Sequence, residues 1–301
     1  MTRSKFHHYV PRFYLDKFSD EDGYIWAYDK FKDVAFRVMP ENIAGENKFY
    51  ELSDFQGSNI DPQELEKQLA GVESEASKII NSWFYQLDSY DKNIVEIPAI
   101  NREIMSLFLT LQMLRTVTMR NQFIQFTKAI QKSGLIEKSY DPDQDANAFH
   151  ASLLWDDDLV KSVANKISDC IWVFAHNNTD NMLYTSDHPL LIKAADSKNW
   201  ILHPQVFEPG MYIVFPLSPD WIMYCHDKSS HWGKMAKFNN SISPVVFTSY
   251  MVDHENSGQV GLSYRFVFSN TPNFEFAKMF CELHPEIKDP KRKHYEWRTR
   301  D

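Results

Sequence analysis

Glycine is scarce, with nine residues in a chain of 301. Phosphate-cradling loops need glycines so that backbone N–H groups can close on the anion. Neither a GxGxxG run nor a Walker-type loop occurs. Cysteine is scarcer still: Cys170, Cys225 and Cys281 lie far apart, are odd in number and form no CxxC pair. That speaks against a disulfide framework and against a cysteine-based zinc site. No apolar run reaches the ~18 residues of a membrane span. The opening MTRSKFHHYVPRF lacks the apolar stretch of a secretory signal. The expectation is a cytoplasmic chain without a membrane partner. Basic excess is missing too: the formal net charge is −9. A broad cationic face for the nucleic-acid backbone is therefore not expected, although local basic stretches occur at Arg115 to Arg120 and in KDPKRKHYEWRTR at the C-terminus.

What the chain has in quantity is aromatic residues, with 22 Phe, 14 Tyr and 8 Trp. Each buried ring removes a large apolar area from water, so a sizeable core is easily built. The patterns predict an α+β fold in one domain over 1–301, with two long helices packed on a small mixed or antiparallel sheet. The helical portion spans about 61–135 and the sheet-containing portion about 170–270. GYIWAYDK and VAFRVMP read as a short hairpin. Asp61-Pro62 reads as a helix start, followed by apolar residues at helical spacing to about Leu87. A second helix is predicted to run unbroken over 99–132, opening after Pro98 and ending before Gly134. SYDPDQDAN reads as a joint, WDDDLVKSVANKISD as a helix, and CIWVFAHN, NMLYTSD, MYIVFPL and WIMYCHD as strands. A further helix within 233–253 precedes a strand at SYRFVFS, and the basic tail after Pro285 is expected to be mobile or partner-bound.

Three constellations could carry chemistry. His7 and His8 are adjacent, and in a strand neighbouring side chains point to opposite faces. One of them could be a metal ligand or general base with the other supporting it; alternatively the pair anchors the N-terminus. Thr185-Ser186-Asp187-His188-Pro189 follows an apolar run, placing hydroxyl, carboxylate and imidazole at a strand end. The alternative is a turn whose side chains satisfy nearby N–H groups. On the long helix, Gln112, Arg115, Thr116 and Arg120 are spaced to share one face amid apolar neighbours. A guanidinium there either clamps an anionic ligand or is paired internally, because an unpaired buried charge is too costly. Asn239 and Asn240 could cap a helix or bind at a site.

HHYVPRFYLDKF, IWAYDK with KFYEL, LTLQMLRTVTMR, TSDHP, FPLSPD and FNNSIS occur in an order that resembles a largely bacterial family, domain of unknown function 4238. The resemblance runs from residue 7 to about 254. It implies that signature residues fall on His7, His8, Gln112, Arg115, Asp187 and one of Asn239 or Asn240; it implies a fold and a site, not a chemistry. His188 departs from the small polar residue expected there, which makes it a weaker candidate than Asp187. Imidazole, carboxylate and guanidinium within these segments lead to the expectation of a metal-dependent hydrolase, such as a nuclease or phosphodiester-cleaving effector in bacterial defence. His8 (or His7) and Asp187 would hold Mn²⁺, Mg²⁺ or Zn²⁺. Arg115 would grip phosphate, while Gln112, Thr116, Arg120, Ser186 and the two asparagines contact a nucleic acid or nucleotide. Two alternatives are a metal-free nucleotide-processing transferase or glycohydrolase, and a ligand-sensing or interaction module without turnover.

Overall fold

The computed structural model describes residues 6–47, 49, 64–89, 93–135, 141, 143, 146–195, 200–202, 209–229 and 231–293. In chain order the elements are β1 (Phe6–His8), α1 (Arg12–Leu15), β2 (Ile25–Asp29), β3 (Val34–Val38), β4 (Gly45–Asn47), α2 (Glu64–Ser89), α3 (Ala99–Leu114), α4 (Val117–Ser133), α5 (Ala146–Leu154) and α6 (Asp157–Asp169). There follow β5 (Ile171–His176), β6 (Thr185–Ser186), β7 (Leu191–Lys193), β8 (Trp200–Ile201), β9 (Tyr212–Pro216), β10 (Trp221–His226), β11 (Ser241–Ile242), α7 (Ser249–Leu262), β12 (Phe266–Ser269) and α8 (Glu275–Leu283). The fold is α+β.

Strands β11-β5-β10-β9-β7-β8 form a six-stranded sheet, antiparallel except for the β11–β5 pair. Its central strands are buried along their length because both faces are covered. On one face Trp83 of α2 meets Trp172 and Phe174 edge-on, and Phe108 of α3 meets Phe215. On the other, Val252 of α7 joins Ala175, Val214 and Ile222 in a separate apolar cluster. The predicted hairpin β2–β3 forms, but it belongs to a second sheet, β3-β2-β12-β6, which unites the N-terminal strands with the end of the chain. The sheet-forming segments therefore extend outside 170–270. Tyr14 ties the sheets together: its hydroxyl donates to Pro216 O at 2.8 Å and lies 2.7 Å from Thr185 Oγ1.

The unbroken helix over 99–132 is corrected. Arg115 leaves helical geometry (φ −83°, ψ 1°) and Thr116 is extended (φ −82°, ψ 158°). Thr116 Oγ1 accepts the Met119 N–H and so starts α4 as an N-cap. No proline or glycine marks the break. Tertiary bonds hold it: Leu114 O accepts from His150 Nε2 at 2.7 Å, and Thr116 Oγ1 is hydrogen-bonded to His188 Nδ1 at 2.7 Å. Gln112, Arg115, Thr116 and Arg120 consequently do not share one continuous helical face. The end of α4 at Gly134 is as expected, with φ +77° in the left-handed region.

The helix placed within 233–253 resolves into a 3-10 turn at Gly233–Phe238 and α7, which starts at Ser249. The tail also needs correcting as far as residue 293. Lys288 Nζ donates to Asp33 Oδ2 at 2.9 Å, and Arg292 donates to the carbonyls of Ile287 and Ser263. Asp61-Pro62 and most of the 139–147 joint lie outside the described residues.

Candidate functional site

The strand β1 pairs with β4, His8 opposite Gly45 and His7 opposite Glu46. This register needs glycine at 45, where a Cβ would meet Phe6 Cε1 at 2.5 Å and His7 O at 2.8 Å. Alternation then turns the two histidines apart, as expected: His7 is buried and His8 half-buried. His8 Nε2 lies 3.1 Å from Glu41 O. A carbonyl only accepts, so in the neutral ring the Nε2 carries the proton. Burial holds the His8 pKa below its ordinary value, offset in part by Glu41 and the Glu73 carboxylate.

His8 shares its electrostatic surroundings with Arg115 and Glu73. Arg115 is fully buried, yet its charge is well satisfied. Nη1 donates to Glu73 Oε1 at 2.5 Å, while Nε and Nη2 both donate to Gln112 Oε1 at 3.0 and 2.6 Å. Gln112 Nε2 in turn donates to Tyr9 O at 3.1 Å, so one amide side chain fastens the guanidinium to the residue that follows β1. The internal-pair reading of Arg115 is therefore the one realised, and its partner is Glu73.

Glu66 completes the group. It lies on α2 seven residues before Glu73, two helical turns and about 10.5 Å along the axis, so the two carboxylates project from one face. Burial raises the Glu66 pKa to about 7; Glu73 adds to the shift and Arg115 opposes it. One carboxylate is thus clamped to a guanidinium and the other is poised to be neutral, and the field of the clamped pair also reaches the His8 imidazole. Glu66 and Glu73 were not among the sequence candidates. The available signal is that they border the stripe of Leu65, Leu69, Val72 and Ala76 that α2 buries.

The TSDHP segment has a different role. Asp187 is 1% exposed. Its Oδ1 accepts the Tyr264 N–H at 2.7 Å, and Oδ2 accepts those of Arg265 and Phe266 at 2.7 and 2.8 Å. Burial pushes its pKa up, opposed by these amides and by the buried Lys30 ammonium. Ser186 donates to Gln259 Oε1 at 2.7 Å, and His188 is taken up by Thr116.

With this geometry in view, the family model described as "Protein of unknown function (DUF4238)" matches residues 7–273. The chain belongs to the DUF4238 family. No curated protein and no solved structure matches it. The matched range holds His8, Glu66, Glu73, Gln112, Arg115 and the TSDHP segment, and Asn239, Asn240 and Arg120 of this DUF4238 chain are bound into its scaffold. Asn239 Oδ1 accepts the Trp172 N–H, and Asn240 Oδ1 accepts from Arg102 Nη1 at 2.8 Å. Arg120 lies over the Phe49 ring and donates to Glu46 Oε2 at 3.3 Å and Asn147 Oδ1 at 2.8 Å.

So the structure gathers His8, Gln112 and Arg115 with Glu66 and Glu73, and directs Thr116, Ser186, Asp187, Asn239 and Asn240 to structural partners. Among the described residues, no group of three or more His, Cys, Asp or Glu side chains is placed to hold a metal ion. No described helix is long and apolar enough to cross a membrane. A cleft of about 570 Å³ lined by Asp180, Tyr184, Asp253, Glu275 and Phe276 contains none of the sequence candidates.

Proposed function

We propose that this DUF4238 chain is a metal-free hydrolase that cleaves glycosidic bonds, with a nucleoside or nucleotide as the first substrate class to test. The observation that carries the reading is the split of one carboxylate pair: Glu66 is raised to about 7, whereas Glu73 is paired with Arg115. Carboxyl groups whose environments push their pKa values apart supply an acid and an anion in one site. Protonated Glu66 would give its proton to the leaving base as the glycosidic bond breaks. Glu73 would face the positive charge that develops on the sugar, and its guanidinium clamp fixes its position. Neutral His8 would take a proton from the water that attacks the sugar carbon. The expected metal-dependent nuclease requires a carboxylate available to a cation beside His8. Asp187 meets that need poorly, since both its oxygens already accept backbone N–H groups.

The test is base release from nucleosides, nucleotides, dinucleotides and single-stranded DNA or RNA, each with EDTA and with Mn²⁺ or Mg²⁺. Base release in EDTA, lost in folded Glu66→Gln and Glu73→Gln, supports the reading. Metal-dependent strand cleavage that survives both substitutions but not His8→Ala overturns it in favour of the nuclease.

A further inference from the structure

Helix α7 rests on the outer face of the six-stranded sheet and clamps the segment around β6. Asn256 accepts the Tyr184 N–H at 2.8 Å and donates to Met182 O at 2.9 Å. Gln259 accepts from Ser186 and donates to Pro189 O at 2.9 Å. The end of the helix is held by Lys30, whose ammonium donates to Val260 O, Ser263 O and Ser263 Oγ at 2.9, 2.7 and 2.9 Å.

One buried polar side chain on this helix is not satisfied in the same way. Glu255 is 7% exposed and interacts with the Tyr224 hydroxyl, but its Oε2 has no hydrogen-bond partner among the described residues. The groups facing it come from each element beneath α7. They are Lys193 of β7, whose ammonium lies 4.0 Å from the Trp200 ring centre, Tyr212 of β9, and Tyr224 of β10. His226 of β10 packs against both tyrosines, at 5.1 and 5.9 Å between ring centres, and its own buried Nδ1 has no partner among the described residues. Asp253 and His254 precede it on α7. No cation forms an ion pair with Glu255 among the described residues.

We propose that Glu255 is a proton latch: α7 is seated on the sheet while this carboxyl is protonated, and loss of the proton loosens the helix together with its grip on residues 182–189. An ionised carboxylate sealed under the helix with one oxygen unbonded is costly, and the strain falls on the contacts that keep it sealed. Burial places the transition at about 7, against the opposing influence of Tyr224 and Lys193. The sign follows from a folded pKa above the unfolded one. The stabilisation is complete below the unfolded carboxyl value and is lost as pH rises through about 7. The neighbouring histidines do not mimic this. Burial lowers His254, and it lowers His226 to about 4, so both are neutral across the upper part of the window.

Amide hydrogen exchange of the full chain at about pH 6 and about pH 8.5, corrected for intrinsic rates, tests the latch. The expected result is a loss of protection of about tenfold or more at the higher pH, confined to α7 and 182–189, and absent in Glu255→Gln. Tyr224→Phe removes a group that favours the ionised form, so it should move the midpoint to higher pH. It also serves as the test if Glu255→Gln does not fold. Protection that is equal at both pH values, a loss that persists in Glu255→Gln, or a midpoint that does not move in Tyr224→Phe overturns the proposal.

Discussion

Replacing Asp187 with alanine separates a scaffold from a catalyst. The carboxylate is 1% exposed and accepts the N–H groups of Tyr264, Arg265 and Phe266 at 2.7 to 2.8 Å. It closes the turn between α7 and β12 and stands beside the β6–β12 pairing, since Asp187 N donates to Phe266 O at 3.0 Å. Alanine would leave these three amides without an acceptor. A buried unsatisfied donor costs about 1–3 kcal/mol. Residues 264–266 are only half-buried, so water can reach part of the turn and the lower end applies. The expected loss is on the order of 3–5 kcal/mol, a large share of the ~5–15 kcal/mol that ordinarily holds a domain together. Asp187→Asn keeps one acceptor oxygen and turns an NH₂ toward an N–H, so it should lose less than alanine but still well over 1 kcal/mol. Urea unfolding followed by tryptophan fluorescence measures both, with a lower midpoint and an unchanged slope expected. An Asp187→Ala protein that unfolds at the wild-type midpoint but has lost a catalytic activity would refute the scaffold assignment. The carboxylate would then return to the reaction.

The remaining predictions concern the gathered site and the helix break. If Glu66 is the proton donor, turnover should be highest below about pH 7 and fall as pH rises through that value, because the group must be protonated to act. A pH–rate profile of Glu66→Asp with an unmoved alkaline limb would assign that limb to another group. Gly45→Ala should unpair β1 from β4, since its Cβ would meet Phe6 and the His7 carbonyl. Activity should fall at least as steeply as in His8→Ala, read alongside circular dichroism to confirm that the rest of the fold persists. Thr116→Val removes both the cap of α4 and the partner of His188, and a loss of about 1–2 kcal/mol is expected in thermal or urea unfolding.

Local signals carried much of the fold. IWVFAH, YIVFP and WIMYCH are short apolar runs bounded by turn residues, and each became a strand of the large sheet. The left-handed Gly134 after α4 was likewise legible, because capping chemistry is local. The break at Arg115 and Thr116 was not. Apolar periodicity runs through it, and the bonds that enforce it come from His150 and His188, distant in sequence. The joining of β2 to β12 was hidden for the same reason: hydrophobic patterning marks a strand but not its neighbour.

The site divides along the same line. Residue type alone does not distinguish a ligand-binding side chain from one that fastens the backbone; the partner decides. Gln112 joins Arg115 to Tyr9, Asp187 joins β6 to the turn before β12, and Asn239 joins Trp172 to the segment before β11. Each ties together segments far apart in the chain, and a polar side chain looks the same in the sequence whichever of the two tasks it performs. Glu66 and Glu73 escaped notice for the same reason. Nothing in their local sequence sets them apart, and only burial and the arrival of Arg115 turn two unremarkable carboxyls into a pair with divided protonation. The buried polar residues legible in the sequence therefore mostly build the frame, and the acid–base group lies where that frame brings a half-exposed flank of α2 to Arg115. An assay programme confined to His7, His8, Arg115 and Asp187 would mix scaffold failures with chemical ones. Including Glu66 and Glu73, both on the partly exposed flank, separates the two.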